Sequence, residues 1–437
     1  MLSLSALFSL ALLPAVSLAA PVTPEQPGPI VLEGRGPATA GVPLDALRRR
    51  DVGNFDKYAG IRAEQLQQGH EHLEKRAVAP GWSEVKLTNQ FNSATGAFQT
   101  HAGTIQMGIP AQSISVLFDT GSTDLVSPVT CQDGCPNGYY NIDGVTRHYR
   151  DRSNGTTIAV SYGGGATAYG YEAEDQVRVG KFQVLGQRFV AATSHKSTVP
   201  ENYAGVMGLA PGPSKLHGLG SFMNRIFTTR MWEGLWADRS EGRFFTMWFS
   251  RDTETKSQLV IGGADTDKFE GELINVPVPQ GLPYWGLITL GYSVGDEPVA
   301  SSGAITLIDS GTSNNFIPRA AAAALYAKIG GKLYSTDKVP TMGNLQDVDV
   351  YTVPCSQELP VGFSFAGAKD TVYMKPQDSV LDRDGDLCFG AFSGVDIDIQ
   401  GAPASLLGLP FLRSLFSVFS YGDDGQTYSI SFAPAKN

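Results

Sequence analysis

The feature that most constrains the fold of this 437-residue chain is a short acidic motif that occurs twice. Both copies read apolar, apolar, Asp, Ser or Thr, Gly, Ser or Thr, in the stretches VLFDTGSTDLV and AITLIDSGTSNNFIP. Their aspartates, Asp119 and Asp309, are separated by about half of the length that follows residue 76. The residues after them are Thr120, Gly121 and Ser122 in the first copy and Ser310, Gly311 and Thr312 in the second. Chance should give one copy in roughly one chain of this length in a few hundred and two in about one in 10⁵, which indicates an internal duplication.

The two motifs explain each other chemically. A carboxylate that follows a buried strand is costly unless it is neutralised or heavily hydrogen-bonded. Two carboxyls in contact can hold one proton between them, which lowers the cost of burying either. The ionised member can then take a proton from a water while the protonated member polarises a carbonyl. We therefore expect Asp119 and Asp309 to catalyse amide hydrolysis without a covalent enzyme intermediate.

The residues around each aspartate suit the same chemistry. Gly121 and Gly311 let backbone approach the carboxyls closely and offer N–H groups. The hydroxyls of Thr120 and Ser310 can cross-link the two loops. The remaining two hydroxyls can donate to the outer carboxylate oxygens, and they belong to Ser122 and Thr312.

The composition favours a β-rich protein of two globular units. A chain of 437 residues exceeds what one hydrophobic core usually supports. Glycine (50 residues), proline (26) and aromatic residues (10%) are plentiful and charged residues make up only 17%, which suits many short strands joined by turns. The net charge of −10, without a Lys/Arg run in the globular part, argues against nucleic acid or an anionic membrane as a partner.

The first 76 residues are interpreted as segments that the mature protein lacks. Residues 1–19 combine an apolar run with a Ser-Leu-Ala exit and indicate a secretory signal peptide; a membrane anchor is the alternative, for which the run is barely long enough. Residues 20–76 are rich in Pro, Gln, Glu, His and basic residues and end in Lys75-Arg76, so we expect a pro-segment cut after this pair. A solvated linker is the alternative. In an exported chain, the sequon at Asn154 is a candidate N-glycosylation site.

Four cysteines in an exported chain suggest two disulfides, and four cysteines allow three connectivities. The spacing favours Cys131 with Cys135, in a small loop, and Cys355 with Cys388, in a longer one. A four-thiolate zinc site is the competing interpretation, but an oxidising compartment disfavours free thiolates and neither pair has the C-x2-C spacing. We expect no metal and no cofactor.

Further motifs fall in the order found in a known family. SYGGGATAYGYEAEDQVRVG reads as a hairpin that carries Tyr162, Gly163 and Gly164, and apolar-apolar-Gly triplets occur at 206–208 and 406–408. With the two Asp motifs, these segments make the chain resemble the pepsin-like aspartic endopeptidases from about residue 83 to 434. The resemblance identifies the hairpin as the family's flap, with Tyr162 and Gly163 in the places of the flap Tyr-Gly. The triplets match the segments that thread beneath the catalytic loops.

The resemblance implies the all-β, bilobal fold of this family, with two β-rich lobes, a bridging sheet and a deep cleft between the lobes. We expect an N-terminal lobe over 77–265, with Asp119 and the flap, and a C-terminal lobe over 266–437, with Asp309. The implied activity is hydrolysis of internal bonds in protein or peptide substrates at acid pH. The implied protein is a secreted zymogen that is monomeric after removal of its pro-segment, and the vacuole is the alternative destination.

The chain departs from the family near the expected cleft. Val126 stands where the family usually has Trp, whose indole hydrogen-bonds the flap Tyr, so we expect a reshaped pocket beside Tyr162. Glycines follow Tyr162 where a hydroxyl or carboxyl side chain is common, which predicts an open or mobile flap. Both departures predict altered specificity.

Other functions match only parts of the sequence. Gly291-Tyr-Ser293-Val-Gly295 fits the nucleophile-elbow pattern of serine hydrolases, but the polar, Gly-rich residues after it cannot start the helix that this motif requires, so we expect a β-hairpin turn. A metalloprotease is not supported, because the six histidines include no H-E-x-x-H. A non-catalytic protein that keeps the fold and uses the cleft for recognition is the remaining alternative, yet both aspartates are present.

Overall fold

The computed structural model describes Ile30, Val31 and residues 82–437, with gaps at 92–97, 132–137, 144–145, 163–165, 197–202, 213–215, 217–219, 229–241, 253, 342–343, 400–401, 423–424 and 426. The predicted signal peptide and nearly all of the predicted pro-segment therefore lie outside the described residues. None of the helices within the described ranges is long and apolar enough to cross a bilayer.

Strands dominate the described part of the chain. The strands of the N-terminal half are β1 Ile30–Val31, β2 Ser83–Phe91, β3 Phe98–Met107, β4 Gln112–Asp119, β5 Leu125–Pro128, β6 Arg150–Asp151, β7 Ile158–Ser161, β8 Thr167–Val179, β9 Phe182–Lys196, β10 Gly205–Gly208, β11 Phe244–Trp248 and β12 Ser257–Ile261. Those of the C-terminal half are β13 Ile274–Pro277, β14 Gly286–Val294, β15 Glu297–Ser301, β16 Ile305–Ile308, β17 Asn315–Ile317, β18 Lys332–Thr341, β19 Asn344–Val353, β20 Val361–Phe365, β21 Val372–Met374, β22 Val380–Asp384, β23 Leu387–Gly390, β24 Phe392–Gly394, β25 Ile397–Ile399, β26 Ala402–Leu407, β27 Leu415–Ser420 and β28 Ser429–Pro434. The helices are α1 Phe222–Thr228, α2 Arg319–Ile329 and α3 Leu409–Ser414, with 3-10 turns at Thr266–Lys268 and Pro376–Ser379.

The strands form two large mixed sheets. One runs in the order β1-β7-β8-β9-β5-β10-β4-β3-β2-β12-β11-β27-β28-β13 and joins both halves of the chain, because β11 pairs with β27 in the register Phe245↔Phe419. The other sheet contains only strands of the C-terminal half. The all-β, bilobal fold with a shared bridging sheet is thereby confirmed. From the region predicted to be the pro-segment, β1 pairs in parallel with β7.

The same strand arrangement occurs in both halves, as a duplication requires. In the N-terminal half, β10 lies between β4 and β5; it pairs in parallel with β4 and antiparallel with β5. In the C-terminal half, β26 lies in the same way between β16 and β17. The predicted triplet at 206–208 is the end of β10, and that at 406–408 comprises the last two residues of β26 and Gly408, so each lies beside the strand that leads into an aspartate.

Helix α2 is bounded by residues that favour a helix start and a helix end. It begins at Arg319 after Pro318 and ends before Gly330, which adopts the left-handed φ of 78° that glycine tolerates. Ala322 and Leu325 lie on its buried face. Its packing against β14, β15 and β24 supports the C-terminal sheet.

A buried aromatic cluster and an ion-pair network join the two halves. Trp285, fully buried, contacts Phe245 and Phe419, and its indole Nε1 donates to Leu209 O at 3.0 Å. The buried carboxylate of Asp378 accepts hydrogen bonds from two guanidinium groups, those of Arg251 and Arg413. A buried carboxylate of this kind is stable only while its partners remain.

The three described cysteines are disulfide-bonded. Cys355, after β19, is bonded to Cys388 in β23, with Cα atoms 5.3 Å apart, as predicted from the spacing. Cys131 is also disulfide-bonded, and its predicted partner Cys135 lies outside the described residues. These bonds contradict a four-thiolate zinc site.

Candidate active site

The two sequence-predicted aspartates meet. Asp119 ends β4 and Asp309 follows β16, and both side chains are fully buried. Their carboxyl groups interact directly with each other. Each aspartate is therefore the partner that the other needs in order to be buried.

The two carboxyls are held in the same way. Gly121 N donates to Asp119 Oδ1 at 2.8 Å and Ser122 Oγ donates to Asp119 Oδ2 at 2.5 Å. In the second loop the corresponding bonds to Asp309 have the same lengths, and their donors are Gly311 N and Thr312 Oγ1. Each carboxyl therefore accepts one backbone N–H and one side-chain hydroxyl from its own loop.

The hydroxyls of Thr120 and Ser310 cross-link the loops in both directions. Thr120 N donates to Ser310 Oγ at 3.0 Å, and Ser310 N donates to Thr120 Oγ1 at 2.9 Å. The same hydroxyls donate to the carbonyls just before the opposite aspartate, Thr120 Oγ1 to Ile308 O at 2.7 Å and Ser310 Oγ to Phe118 O at 2.7 Å. This network fixes the two loops against each other.

Gly121 shows how closely the loops approach. A Cβ atom at this position would lie 2.6 Å from Cγ of Asp309, which no side chain tolerates. The glycine predicted from the motif is therefore required by the opposite carboxyl.

Electrostatics favour a shared proton. Burial raises the pKa of both carboxyls. For Asp119, the negative charge of Asp309 and the hydrogen bond between the two groups raise the pKa further, whereas that hydrogen bond lowers the pKa of Asp309. The pKa of Asp119 is thus raised further than that of Asp309, so the pair holds one proton tightly and provides an acid and a base side by side.

One contact to the loops could not be anticipated from the motifs. The buried His101 on β3 places its Nε2 3.0 Å from Phe118 O, the carbonyl that also accepts from Ser310. Continued by two residues, the register Gly103↔Val116 places positions 101 and 118 opposite each other. No pattern in the sequence indicates this contact, because it depends on strand register and not on a local motif.

The predicted flap is a hairpin of β7 and β8. Tyr162 follows β7, its N–H donates to Ala166 O at 2.8 Å, and its side chain is buried in an apolar cluster that includes Val126 and Leu216. Gly163 and Gly164 lie outside the described residues. Val126 and Tyr162 thus belong to one apolar cluster.

Two predicted features lie elsewhere on the surface. Asn154 is exposed in a turn, with a left-handed φ of 48°. Ser293 lies in the β14–β15 hairpin, in a cavity of about 480 Å³ that Asp296 and Tyr373 also line and to which no described histidine contributes. The hairpin predicted for this segment is confirmed, and the serine-hydrolase geometry of strand, turn and helix is absent from it.

Comparison with known proteins agrees with this geometry. The sequence model of the family described as eukaryotic aspartyl protease matches residues 100–435. Similar relatives include vacuolar protease A of Neurospora crassa, 24% identical over 90% of this chain and 91% of the relative. Syncephapepsin of Syncephalastrum racemosum is 26% identical over 98% and 99% of the two chains. Gastricsin of Mus musculus is 29% identical over 74% and 79%.

Proposed function

The chain belongs to the eukaryotic aspartyl protease family and is an aspartic endopeptidase, and we propose that Asp119 and Asp309 are its catalytic pair. The single observation that carries this assignment is the meeting of two fully buried carboxyls from duplicated loops: Gly121, hydrogen-bonded to Asp119, lies so close to Asp309 that a Cβ there would be 2.6 Å from its Cγ. Buried carboxyls in contact share a proton, so the pair can act as base and acid in one step.

The proposed reaction begins with a water held between the carboxyls. The ionised member takes a proton from this water as its oxygen attacks the carbonyl carbon of the scissile amide. The protonated member polarises the carbonyl oxygen and then donates its proton to that oxygen as the tetrahedral intermediate forms. Collapse of the tetrahedral intermediate breaks the C–N bond as the carboxyl that took the water proton donates it to the leaving amine nitrogen. The other carboxyl takes back the proton from a hydroxyl of the intermediate, which restores the singly protonated pair without an acyl-enzyme.

The loop residues have supporting roles in this proposal. Gly121, Gly311 and the hydroxyls of Ser122 and Thr312 orient the carboxyl oxygens, and Thr120 and Ser310 hold the loops together. The hairpin that carries Tyr162, Gly163 and Gly164 acts as a flap that closes over an extended peptide and excludes water.

Processing and destination complete the proposal. Residues 1–19 direct export, and residues 20–76 keep the enzyme latent until cleavage after Lys75-Arg76. The mature chain of two lobes, 77–265 and 266–437, acts as a monomer outside the cell or in the vacuole, with a glycan at Asn154 and a second disulfide between Cys131 and Cys135. Full activity of the uncut precursor would contradict the latency.

The test is an activity assay on the processed protein. We expect cleavage of denatured haemoglobin or casein in acid, blocked by a statine-type peptide and unaffected by a serine-directed phosphonate. A processed, folded protein that cuts neither substrate would instead be a binding protein that uses the cleft for recognition. Both aspartate loops keep their hydrogen bonds, so no described contact favours that alternative.

A further inference from the structure

His101 is a buried titratable side chain that the mechanism above does not use. It lies on β3, is fully buried, and its ring packs edge-on against Phe249 at 4.9 Å between centroids. Its Nε2 lies 3.0 Å from Phe118 O. Phe118 directly precedes Asp119, so His101 contacts the peptide group that leads into the first carboxyl.

The carbonyl of Phe118 accepts from two directions. Ser310 Oγ donates to it from the opposite loop at 2.7 Å, and the ring of His101 donates from β3. A carbonyl oxygen has two lone pairs, so both donors can bind it together. The oxygen is therefore the point at which the cross-link between the loops is anchored to the N-terminal sheet.

The surroundings accept only the neutral ring. A carbonyl partner requires the proton on Nε2, and Nδ1 is buried without a hydrogen-bond partner among the residues that the structure describes. A second proton would place an N–H at Nδ1 with no acceptor in an apolar site. Burial accordingly lowers the pKa of His101 to about 4, although the Phe118 carbonyl acts in the opposite direction.

No charged side chain in the described surroundings compensates for that second proton. Strand β3 contains no acidic or basic residue other than the histidine, and β4 contributes only Asp119. On β2, His101 is paired with Asn89, so Glu84 and Lys86 point to the other face and are exposed. Three other charged groups lie on neighbouring segments. Arg413 on α3 and Arg251 after β11 are both bound to Asp378, and Asp252, next to Arg251, is exposed.

We propose that His101 is a positioning residue whose neutral ring, together with the Ser310 hydroxyl, holds the Phe118 carbonyl so that Asp119 meets Asp309. Protonation of the ring in acid breaks its hydrogen bond to this carbonyl. This protonation sets the lowest pH at which the enzyme turns over, which we call the acid limit. The proposal rests on the catalytic pair proposed above. Protonation obliges the ring to move or to admit water, because Nδ1–H finds no acceptor where it lies. The displaced carbonyl then no longer orients the Asp119 loop.

Two substitutions separate the hydrogen bond from the titration. His101→Gln keeps an N–H donor and cannot be protonated, and His101→Phe keeps a ring but has no donor. The measurement is kcat and KM of the processed enzyme on a peptide substrate between about pH 2.5 and 6.5, together with Tm. We expect His101→Phe to lose about five- to tenfold in kcat at pH 5, the value of one hydrogen bond, with KM nearly unchanged. We expect His101→Gln to keep most of kcat at pH 5 and to remain active well below the acid limit of the wild type.

Val348→Ala is the matched control, because Val348 is fully buried in a separate cluster of the C-terminal half and its truncation lowers stability without touching the loops. It should lower Tm and leave the acid limit in place. If His101→Gln keeps the wild-type acid limit, the inference is wrong, and this holds even if His101→Phe fails to fold. The inference is also wrong if Val348→Ala moves the limit as far as His101→Gln does. Failure of the catalytic assignment is distinct, since the wild type itself would then be inactive or Asp119→Asn would retain activity.

Discussion

Thr120 and Ser310 hydrogen-bond each other twice, and each hydroxyl also reaches the carbonyl just before the other's aspartate. The two residues are 190 positions apart, so the contact exists only when both halves of the chain are folded and joined. Because the bonds flank the carboxyls on both sides, the separation of Asp119 from Asp309 depends on them.

Ser310→Ala should therefore impair both stability and catalysis. It removes the donor to Phe118 O and leaves Thr120 N without its acceptor, which costs about 1–3 kcal/mol of unfolding free energy and lowers kcat. Ser310→Thr is the control, because the first loop carries Thr at this position and the hydroxyl is retained. Urea unfolding and steady-state kinetics would measure both effects. Equal loss in the two variants would mean that the hydroxyl is not responsible.

Asp119→Asn and Asp309→Asn should each abolish turnover while the protein stays folded. A shared proton needs two acids, and an amide can neither accept the water proton nor give one up. We expect kcat to fall about a thousandfold or more, with Tm close to that of the wild type. A variant that keeps a substantial rate with its binding of a statine-type peptide intact would show that the pair is not the catalytic centre.

The alkaline limit of activity should report the proton held by the pair. Burial raises the pKa of Asp119, so the active, singly protonated pair persists in acid and is lost as pH rises through the folded-state value. The hydrogen bond from Ser122 lowers this pKa, so Ser122→Ala should move the alkaline limit of kcat/KM to higher pH. Ser417→Ala removes a buried hydroxyl on β27 that has no hydrogen-bond partner within the described part of the chain, and it should leave the limit unchanged. A downward movement for Ser122→Ala would contradict this assignment.

Local motifs predict most of the site. Asp119 and Asp309 each carry a cost of burial that only a partner relieves, so the sequence alone predicts that the two side chains are in contact. The helix after Pro318 is predictable for a similar local reason, since proline opens it and Gly330 closes it.

Contacts that depend on register cannot be predicted in this way. His101 and Phe118 meet because β3 and β4 pair in one register, and a shift by one residue would turn the ring to the other face. Arg251 and Asp378 are 127 positions apart in polar segments without a motif. Val126 is visible in the sequence as a departure from the family, but only packing reveals that it shares an apolar cluster with Tyr162.

Stability should fall as the pH drops towards 4 because of His101. The folded state holds the neutral ring with a pKa of about 4, whereas the unfolded chain takes up the proton at the ordinary histidine pKa of 6.5. The unfolded state therefore binds the extra proton first, and stability is lost between these values and no further below about 4. The loss is about 3 kcal/mol, and it should be absent from His101→Gln. Urea unfolding of both proteins at pH 7 and pH 4 measures the difference, and parallel losses would contradict it.

Asp378→Asn should be among the more destabilising changes outside the catalytic loops. Asp378 is almost fully buried between Arg251 and Arg413, and Arg251 comes from the N-terminal half of the chain whereas Arg413 lies on α3. Loss of the carboxylate charge leaves two guanidinium groups close together without their anion, which costs about 3–5 kcal/mol. Asp347→Asn is the control, because its pair with Lys338 is exposed on both sides and is worth at most about 1 kcal/mol. Because the bond from Arg251 to Asp378 joins the two halves of the chain, we expect Asp378→Asn to lower the cooperativity of urea unfolding as well as its midpoint. Similar effects of the two substitutions on the midpoint would show that this network does not join the halves.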